Sequence, residues 1–151
     1  MFSIDAIMST NLITIPPAAS LAEARTLMHD NGIHHLPVVD TKGDLVGLVT
    51  LTNLLAATDS VLRDPDRRIR AADISVTDVM ATDVATVDRS ASLRKAALFL
   101  EKHQIGCLPV LKEGKLHGII TDTDFVGVAI NLLEQIEETE PLGDELDESD
   151  L

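Results

Sequence analysis

Gly118-Ile119-Ile120-Thr121-Asp122-Thr123-Asp124 decides the fold, because the same layout stands 71 residues earlier as Gly47-Leu48-Val49-Thr50-Leu51-Thr52-Asn53. Gly118 to Thr121 read as the end of a buried strand. Phe125, Val126, Val128, Ala129, Leu132 and Leu133 then recur at helical spacing. Thr121 and Asp124 therefore sit one helical turn apart at a strand–helix junction, where free backbone N–H groups and the positive end of the helix dipole face outward. A carboxylate that accepts from sugar hydroxyls, beside N–H groups suited to phosphate, describes a nucleotide grip. Thr-x-x-Asp is equally a helix-capping sequence, with Thr121 as N-cap and Asp124 in the first turn.

The duplication extends upstream. Leu36-Pro37-Val38-Val39 matches Leu108-Pro109-Val110-Leu111, Ser20-Leu21 matches Ser92-Leu93, and Met8-Ser9-Thr10 matches Met80-Ala81-Thr82, each 72 residues apart. The one-residue slip falls in a turn, where Asp40-Thr41-Lys42-Gly43 faces Lys112-Glu113-Gly114. Each half reads as β-α-β-β-α. In the first, a helical turn at Ile4, Ile7 and Met8 precedes a strand at Leu12 to Ile15, stopped by Pro16-Pro17. Ser20-Leu21-Ala22-Glu23 is a capping box opening a helix with an apolar face of Leu21, Ala24, Leu27 and Met28, ended by Asn31-Gly32. Strands at Leu36–Val39 and Leu45–Thr50 and a helix from about Leu51 to Ala57 follow. The second half repeats the order: turn Val76–Met80, strand Val84–Val87, helix Leu93–His103, strands Cys107–Leu111 and Leu116–Thr121, and a helix from Asp122 towards Gln135. The expected division is 1–58 and 75–135 for the repeats, 59–74 for a linker and 136–151 for a tail. Each half alone is too small to cover its sheet, and a twin would bury it.

Composition narrows the function. At 151 residues the chain can bury roughly 68–70% of its unfolded surface. Hydrophobic residues make up 45% but aromatics 2%, and Phe2, Phe99 and Phe125 are the only rings. That argues against base stacking on single-stranded nucleic acid, and a net charge of −13 argues against any phosphate backbone as partner. Nine acidic residues and no Lys or Arg lie between Glu134 and Leu151, the pattern of a solvated, disordered tail. The linker carries Arg63, Arg67, Arg68 and Arg70. They either pair with nearby acids such as Asp64 and Asp66 or reach over a ligand's phosphates. Cys107 is the one cysteine, which excludes an intrachain disulfide and fits a reducing, cytoplasmic compartment. No signal peptide and no apolar run near the ~20 residues of a membrane span is present.

Two β-α-β-β-α halves, each with a Leu-Pro-Val strand and a closing Gly-h-h-Thr-x-x-Asp/Asn (h, apolar), resemble a tandem cystathionine-β-synthase (CBS) domain pair, or Bateman module. The resemblance covers about residues 3 to 135. It implies a mixed α/β (α+β) fold, two repeats about a pseudo-twofold axis, and two composite clefts for adenosine ligands such as AMP, ADP, ATP or S-adenosylmethionine. Carried onto this chain, one cleft uses Thr121 and Asp124 for ribose with Ile13, Ile33, His34 and Pro37 around the base. The other uses Thr50 and Asn53 with Ala85, Ile105, Gly106 and Pro109, and His35 in the place of a phosphate cation. Asn53 supplies no charge-assisted bond, so the clefts are expected to differ. The resemblance further implies a homodimer, a separate regulated protein, and no required cofactor.

Competing chemistry finds little support. His34 and His35 are strand neighbours pointing to opposite faces, with no further ligand at metal spacing. Cys107 reads as a small buried thiol, because a nucleophile would need a base and an orienting group. His29, His103 and His117 read as surface or capping residues. No phosphate loop, nucleophile elbow or acid–base–nucleophile set is present, so no enzyme is expected. The expectation is a regulatory adenosine-sensing module; the alternative is a ligand-free oligomerisation or scaffold module whose Thr-x-x-Asp only caps helices.

Overall fold

The computed structural model describes residues 3–62 and 71–139, so the expected arginine cluster and the last twelve residues of the expected tail lie outside it. In chain order the first repeat contains α1 (Ile4–Ile7), α2 (Leu21–Asn31), β1 (His35–Val39), β2 (Leu45–Thr50) and α3 (Leu51–Leu62). Short 3-10 turns at Ala71–Asp73 and Val76–Asp78 lead to β3 (Val87–Asp88), α4 (Leu93–His103), β4 (Cys107–Lys112), β5 (Lys115–Thr121) and α5 (Asp122–Thr139). The mixed α/β reading holds. Helix α3 outruns its expected end at Ala57, and α5 continues four residues past Gln135.

The local signals behave as their chemistry requires. Ser20 Oγ accepts from Glu23 N at 3.1 Å while Glu23 Oε2 accepts from Ser20 N at 3.0 Å, completing the capping box. Gly32 closes α2 at φ 61°, the left-handed conformation that glycine adopts without a Cβ penalty. Ser92 caps α4 with a single bond to Lys95 N, since the third residue of that helix is a lysine rather than a glutamate.

The two hairpins are copies in register. His35, Leu36 and Pro37 oppose Thr50, Val49 and Leu48, and Cys107, Leu108 and Pro109 oppose Thr121, Ile120 and Ile119. Both ladders shift register at the equivalent place, Val38/Val39 and Val110/Leu111. The first strand of each repeat is shorter than expected. Leu12–Ile15 reduces to one parallel bridge, Ile15 with Val38, while β3 pairs Val87 and Asp88 with Val110 and Leu111. Proline explains the difference. Arg89 N donates to Leu111 O at 2.8 Å, but the equivalent residue in the first repeat is Pro17, which has no N–H.

Each repeat's opening turn packs on the other repeat. Ile4 and Met8 are buried with Val87, Ala96, Leu100, Leu108, Val110 and Ile120 of the second half. Val76, with Ile74, Val79 and Met80 around it, joins the first-half core of Leu21, Ala24, Leu36, Val38, Val49 and Leu54. Backbone bonds seal the exchange: Ser9 with Ile119 at 2.9 and 3.0 Å, and Ala81 with Leu48 at 2.9 Å both ways. This crossing is why the motif begins with glycine. A Cβ on Gly118 would lie 3.0 Å from Met8 Cγ and 3.1 Å from Ser9 O. One on Gly47 would lie 2.8 Å from Met80 Cγ and 3.0 Å from Ala81 O. Ion pairs Arg89–Asp5 and Lys115–Asp44 also join the halves.

Candidate functional site

Because the opening segments cross over, the residues after them run along the far repeat's strand–helix junction. Two composite cavities result, of about 690 and 740 Å³, within the range of small-molecule sites. The first is lined by Ser9, Asn11, Leu12, Ile13, Gly32, Ile33, His34, His35 and Pro37, by Thr50 to Thr52, and by Gly106, Ile119 and Thr121 to Asp124. All six residues expected there, Thr121, Asp124, Ile13, Ile33, His34 and Pro37, are on its wall.

The second cavity is lined by His35, Leu48, Thr50, Thr52, Asn53, Ala81, Asp83, Val84, Ala85, Phe99, His103, Gln104, Ile105, Gly106 and Cys107. Thr50, Asn53, His35, Ala85, Ile105 and Gly106 are therefore together, but Pro109 is not among them. It is buried in β4 opposite Ile119, and the wall ends at Cys107. Phe99 lines this cavity, whereas its counterpart Leu27 is absent from the first cavity's wall.

At the mouth of the first cavity the motif is a cap with capacity to spare. Asp124 Oδ2 accepts from Thr121 N at 2.8 Å and from Thr121 Oγ1 at 3.2 Å. Asp124 N in turn donates to Thr121 Oγ1 at 3.4 Å. One carboxylate oxygen serves both bonds; Oδ1 remains an acceptor, as vicinal hydroxyls require. In the second cavity Asn53 Oδ1 accepts from Thr50 Oγ1 at 2.7 Å and from Thr50 N at 3.3 Å. The atom left over is the amide nitrogen, a donor. The same cap thus leaves opposite hydrogen-bonding groups towards the two cavities.

His35 stands between the cavities and lines both, although the sequence placed it with the second alone. Its ring lies over Gly106: a Cβ there would sit 3.5 Å from His35 Nε2 and 3.6 Å from Asp122 Oδ2. Burial lowers its pKa below the usual histidine value; Asp122 opposes that shift and His34 adds to it. The ring is neutral at neutral pH, a poor substitute for a phosphate-binding cation. His34 and His35 both reach the first cavity, His34 from just before the strand. Cys107 is pushed up to about 12, first by burial and then by Asp122 and Asp124, so it stays a thiol. Among the described residues no cluster of His, Cys, Asp and Glu could hold a metal ion.

Sequence reasoning missed four wall positions that bear on chemistry. Asp122 was hidden inside a motif whose ends drew the attention. Asp83 gave no pattern. Phe99 and His103 are one helical turn apart on α4, with ring centroids 4.3 Å from each other, and that spacing was the available signal. His103 is thus part of a cavity wall rather than only a helix end.

Known proteins match along this frame. The family model described as the CBS domain matches residues 4–60 and 76–131. A CBS domain-containing protein from Dictyostelium discoideum is 33% identical over 134 residues, covering 86% of this chain and 92% of its own. Enzymes match over a small share of their length: 20% of a homoserine O-acetyltransferase from Methanocorpusculum labreanum and 22% of an inosine-5'-monophosphate dehydrogenase from Staphylococcus aureus. Among solved structures, a Vibrio cholerae chain named for acetoin utilization (AcuB) is 40% identical with a TM-score of 0.77, covering 93% of this chain and 99% of that one. The protein CBSX2, solved with AMP, is 27% identical with a TM-score of 0.75 over 88% and 99% of the two chains. The CBS pair of protein MJ0100, solved with 5'-methylthioadenosine and S-adenosyl-L-methionine, shares the fold at 23% identity and a TM-score of 0.76, over 87% of this chain and 98% of that one.

Proposed function

Because this chain belongs to the CBS-domain family as a tandem pair, we propose that it is a regulatory, non-catalytic module that binds an adenosine ligand. AMP, ADP, ATP and S-adenosylmethionine form the class considered. The observation that carries this is Asp124, capping α5 through one carboxylate oxygen while the other remains an acceptor at a composite cavity of about 690 Å³. Ile13, Ile33 and Pro37 supply an aliphatic slot for a purine in a chain nearly without aromatics. The solved AMP complex of a 27% identical neighbour supports the ligand class. Thermal melting tests it. A ligand at 100 times its Kd adds ~2.7 kcal/mol of stability, and no shift with any adenine nucleotide or S-adenosylmethionine would refute it.

The signal would pass to a separate protein through a homodimer. Helix α5 runs 18 residues without one buried side chain, and Val126, Ile130 and Leu133 form a stripe on it, each more than half exposed. Leu55 and Leu98 add apolar surface from α3 and α4. A second copy of the chain is the occupant this reading requires, closed by a twofold axis. Light scattering at micromolar concentration should return twice 16.3 kDa; a monomer mass would overturn the dimer. Among the described residues no helix is long and apolar enough to cross a membrane, and we place the module in the cytoplasm on its single cysteine.

One observation favours a second reading. Thr50–Asn53 and Thr121–Asp124 both close into helix caps through their own hydrogen bonds, the role a scaffold module would need of them. Asp124 variants separate the two, as set out below.

A further inference from the structure

Among the described residues the exposed large apolar side chains are unevenly shared between the halves. Leu98 lies on α4, and Val126, Ile130, Leu132, Leu133 and Ile136 lie on α5, against Leu55 on α3 of the first half. Equivalent positions show that the residues differ while the fold repeats. Val126 answers to Leu55, both more than half exposed, but Leu98 answers to exposed Thr26 and Ile130 to exposed Asp59. Contiguous apolar surface left in water marks an interaction site. Part of this one lies beyond the shared domain. The family match ends at residue 131, and α5 runs on to Thr139 with Leu132, Leu133 and Ile136.

Charge identifies the occupant. On α4, Leu98 is flanked one turn away by Arg94, Lys95 and Lys102, all exposed, with Glu101 as the only acid of that helix. On α5, Glu134 and Glu137 stand one turn after Ile130 and Leu133, Glu138 follows, and the helix holds no Lys, Arg or His. The two helices pack side by side within the chain, so a basic apolar face travels with an acidic one. A second copy on a twofold axis satisfies both at once, because whatever α4 meets on the partner, the partner's α4 meets on this chain. Helix α5 against its own copy would set glutamates against glutamates.

We propose that two copies join through their second halves, with α4 of each lying on α5 of the other, and that the first halves contribute little. The proposal rests on the homodimer reading above and names the surface and the pairing, which that reading leaves open.

Sedimentation of the full chain across a concentration series reads the dimer's Kd. Leu98→Glu and Ile130→Glu should each raise it at least about tenfold, because each buries an unpaired charge where an apolar side chain packed. Leu55→Glu should change it by less than about threefold, as a contact outside the energetic centre does. All three side chains are more than half exposed in the single chain, so each variant should keep the wild-type circular dichroism. Charge reversal tests the pairing. One chain carries Arg94→Glu, Lys95→Glu and Lys102→Glu; another carries Glu134→Lys, Glu137→Lys and Glu138→Lys. Each alone should be a monomer where wild type is a dimer, and mixing the two should restore the dimer, since every basic helix then meets an acidic one. Reversed chains that dimerise alone as tightly as wild type would overturn the proposal. Equal losses in Leu55→Glu and Leu98→Glu would overturn it too, by showing first half on second half. A wild-type dimer untouched by Leu98→Glu and Ile130→Glu would give this face to another partner and overturn it as well. A wild-type monomer would instead refute the homodimer reading itself.

Discussion

The two clefts are built from one motif used twice, and they differ where a single atom differs. Asp124 and Asn53 make the same cap, each taking its threonine's hydroxyl and N–H on one oxygen. What remains is an acceptor in one cleft and a donor in the other. His35 and Cys107 form a second contrast at equivalent positions, one a ring between both cavities and the other a buried thiol. Duplication therefore preserved the scaffold interactions, which are local and repeat themselves. The groups facing the cavities differ, with His35 partly exposed and Cys107 buried.

The largest effect should come from breaking what the halves share. Gly47→Val and Gly118→Val each drive a branched side chain into the opposite repeat's crossing segment, a backbone carbonyl included. Overpacking of this kind typically costs about 1–3 kcal/mol, read by urea unfolding. Gly47 should suffer more, because Met80 Cγ and Ala81 O lie closer to it than Met8 Cγ and Ser9 O lie to Gly118. Equal stability to wild type would mean that the crossing yields without strain.

Next in size is the contrast between grip and cap. Asp124→Asn makes the first cleft's remainder a donor like that of the second. Ligand affinity should fall by more than tenfold, since a hydrogen bond to a charged group contributes about 1.5–3 kcal/mol. Stability without ligand should fall by less than about 1 kcal/mol, the scale of a first-turn carboxylate's interaction with the dipole. Asn53→Asp is the mirror and should tighten the second cleft for an uncharged ribose ligand. If Asp124→Asn loses stability and keeps affinity, the motif is a cap alone and the scaffold reading leads.

The smallest effect separates His35 from Cys107. Burial lowers the His35 pKa, so protonation favours the unfolded chain. Its contribution to stability is fully present above the unfolded value of ~6.5 and is lost as pH falls through the lower folded value. Asp122 works against this shift and His34 with it. His35→Gln should flatten the acid limb of stability below pH ~6.5. Cys107, pushed up to about 12, contributes nothing in that window. An acid limb unchanged in His35→Gln would place its origin elsewhere.

Much of this molecule was legible because its signals are short in range. The capping box at Ser20–Glu23, the glycine stop at Gly32 and the span of α4 follow from contacts within a turn or two. The six residues expected at the first cavity came instead from the family resemblance, since nothing local to Ile13, Ile33, His34 and Pro37 tells that they share a wall with Thr121 and Asp124. The shortened first strand was in principle readable too, since Pro17 withholds the N–H that Arg89 donates. The second cavity was read less well: Pro109 is buried away from it, and Phe99 and His103 line it from a helix that the motif does not include.

The chain's order of residues determined by itself that there are two like halves, which segments are helix or hairpin, and where the caps stand. These depend on backbone sterics, local hydrogen bonds and apolar spacing, all present along a few residues. Only the tertiary structure decided that α1 and Met8 pack on the second half and Val76 to Met80 on the first. A four-residue turn has too little local preference to choose its core, and both cores offer apolar surface of the same kind. Chain closure chooses, and with it come the composite cavities, the crowding at Gly47 and Gly118, and the position of His35 on both walls.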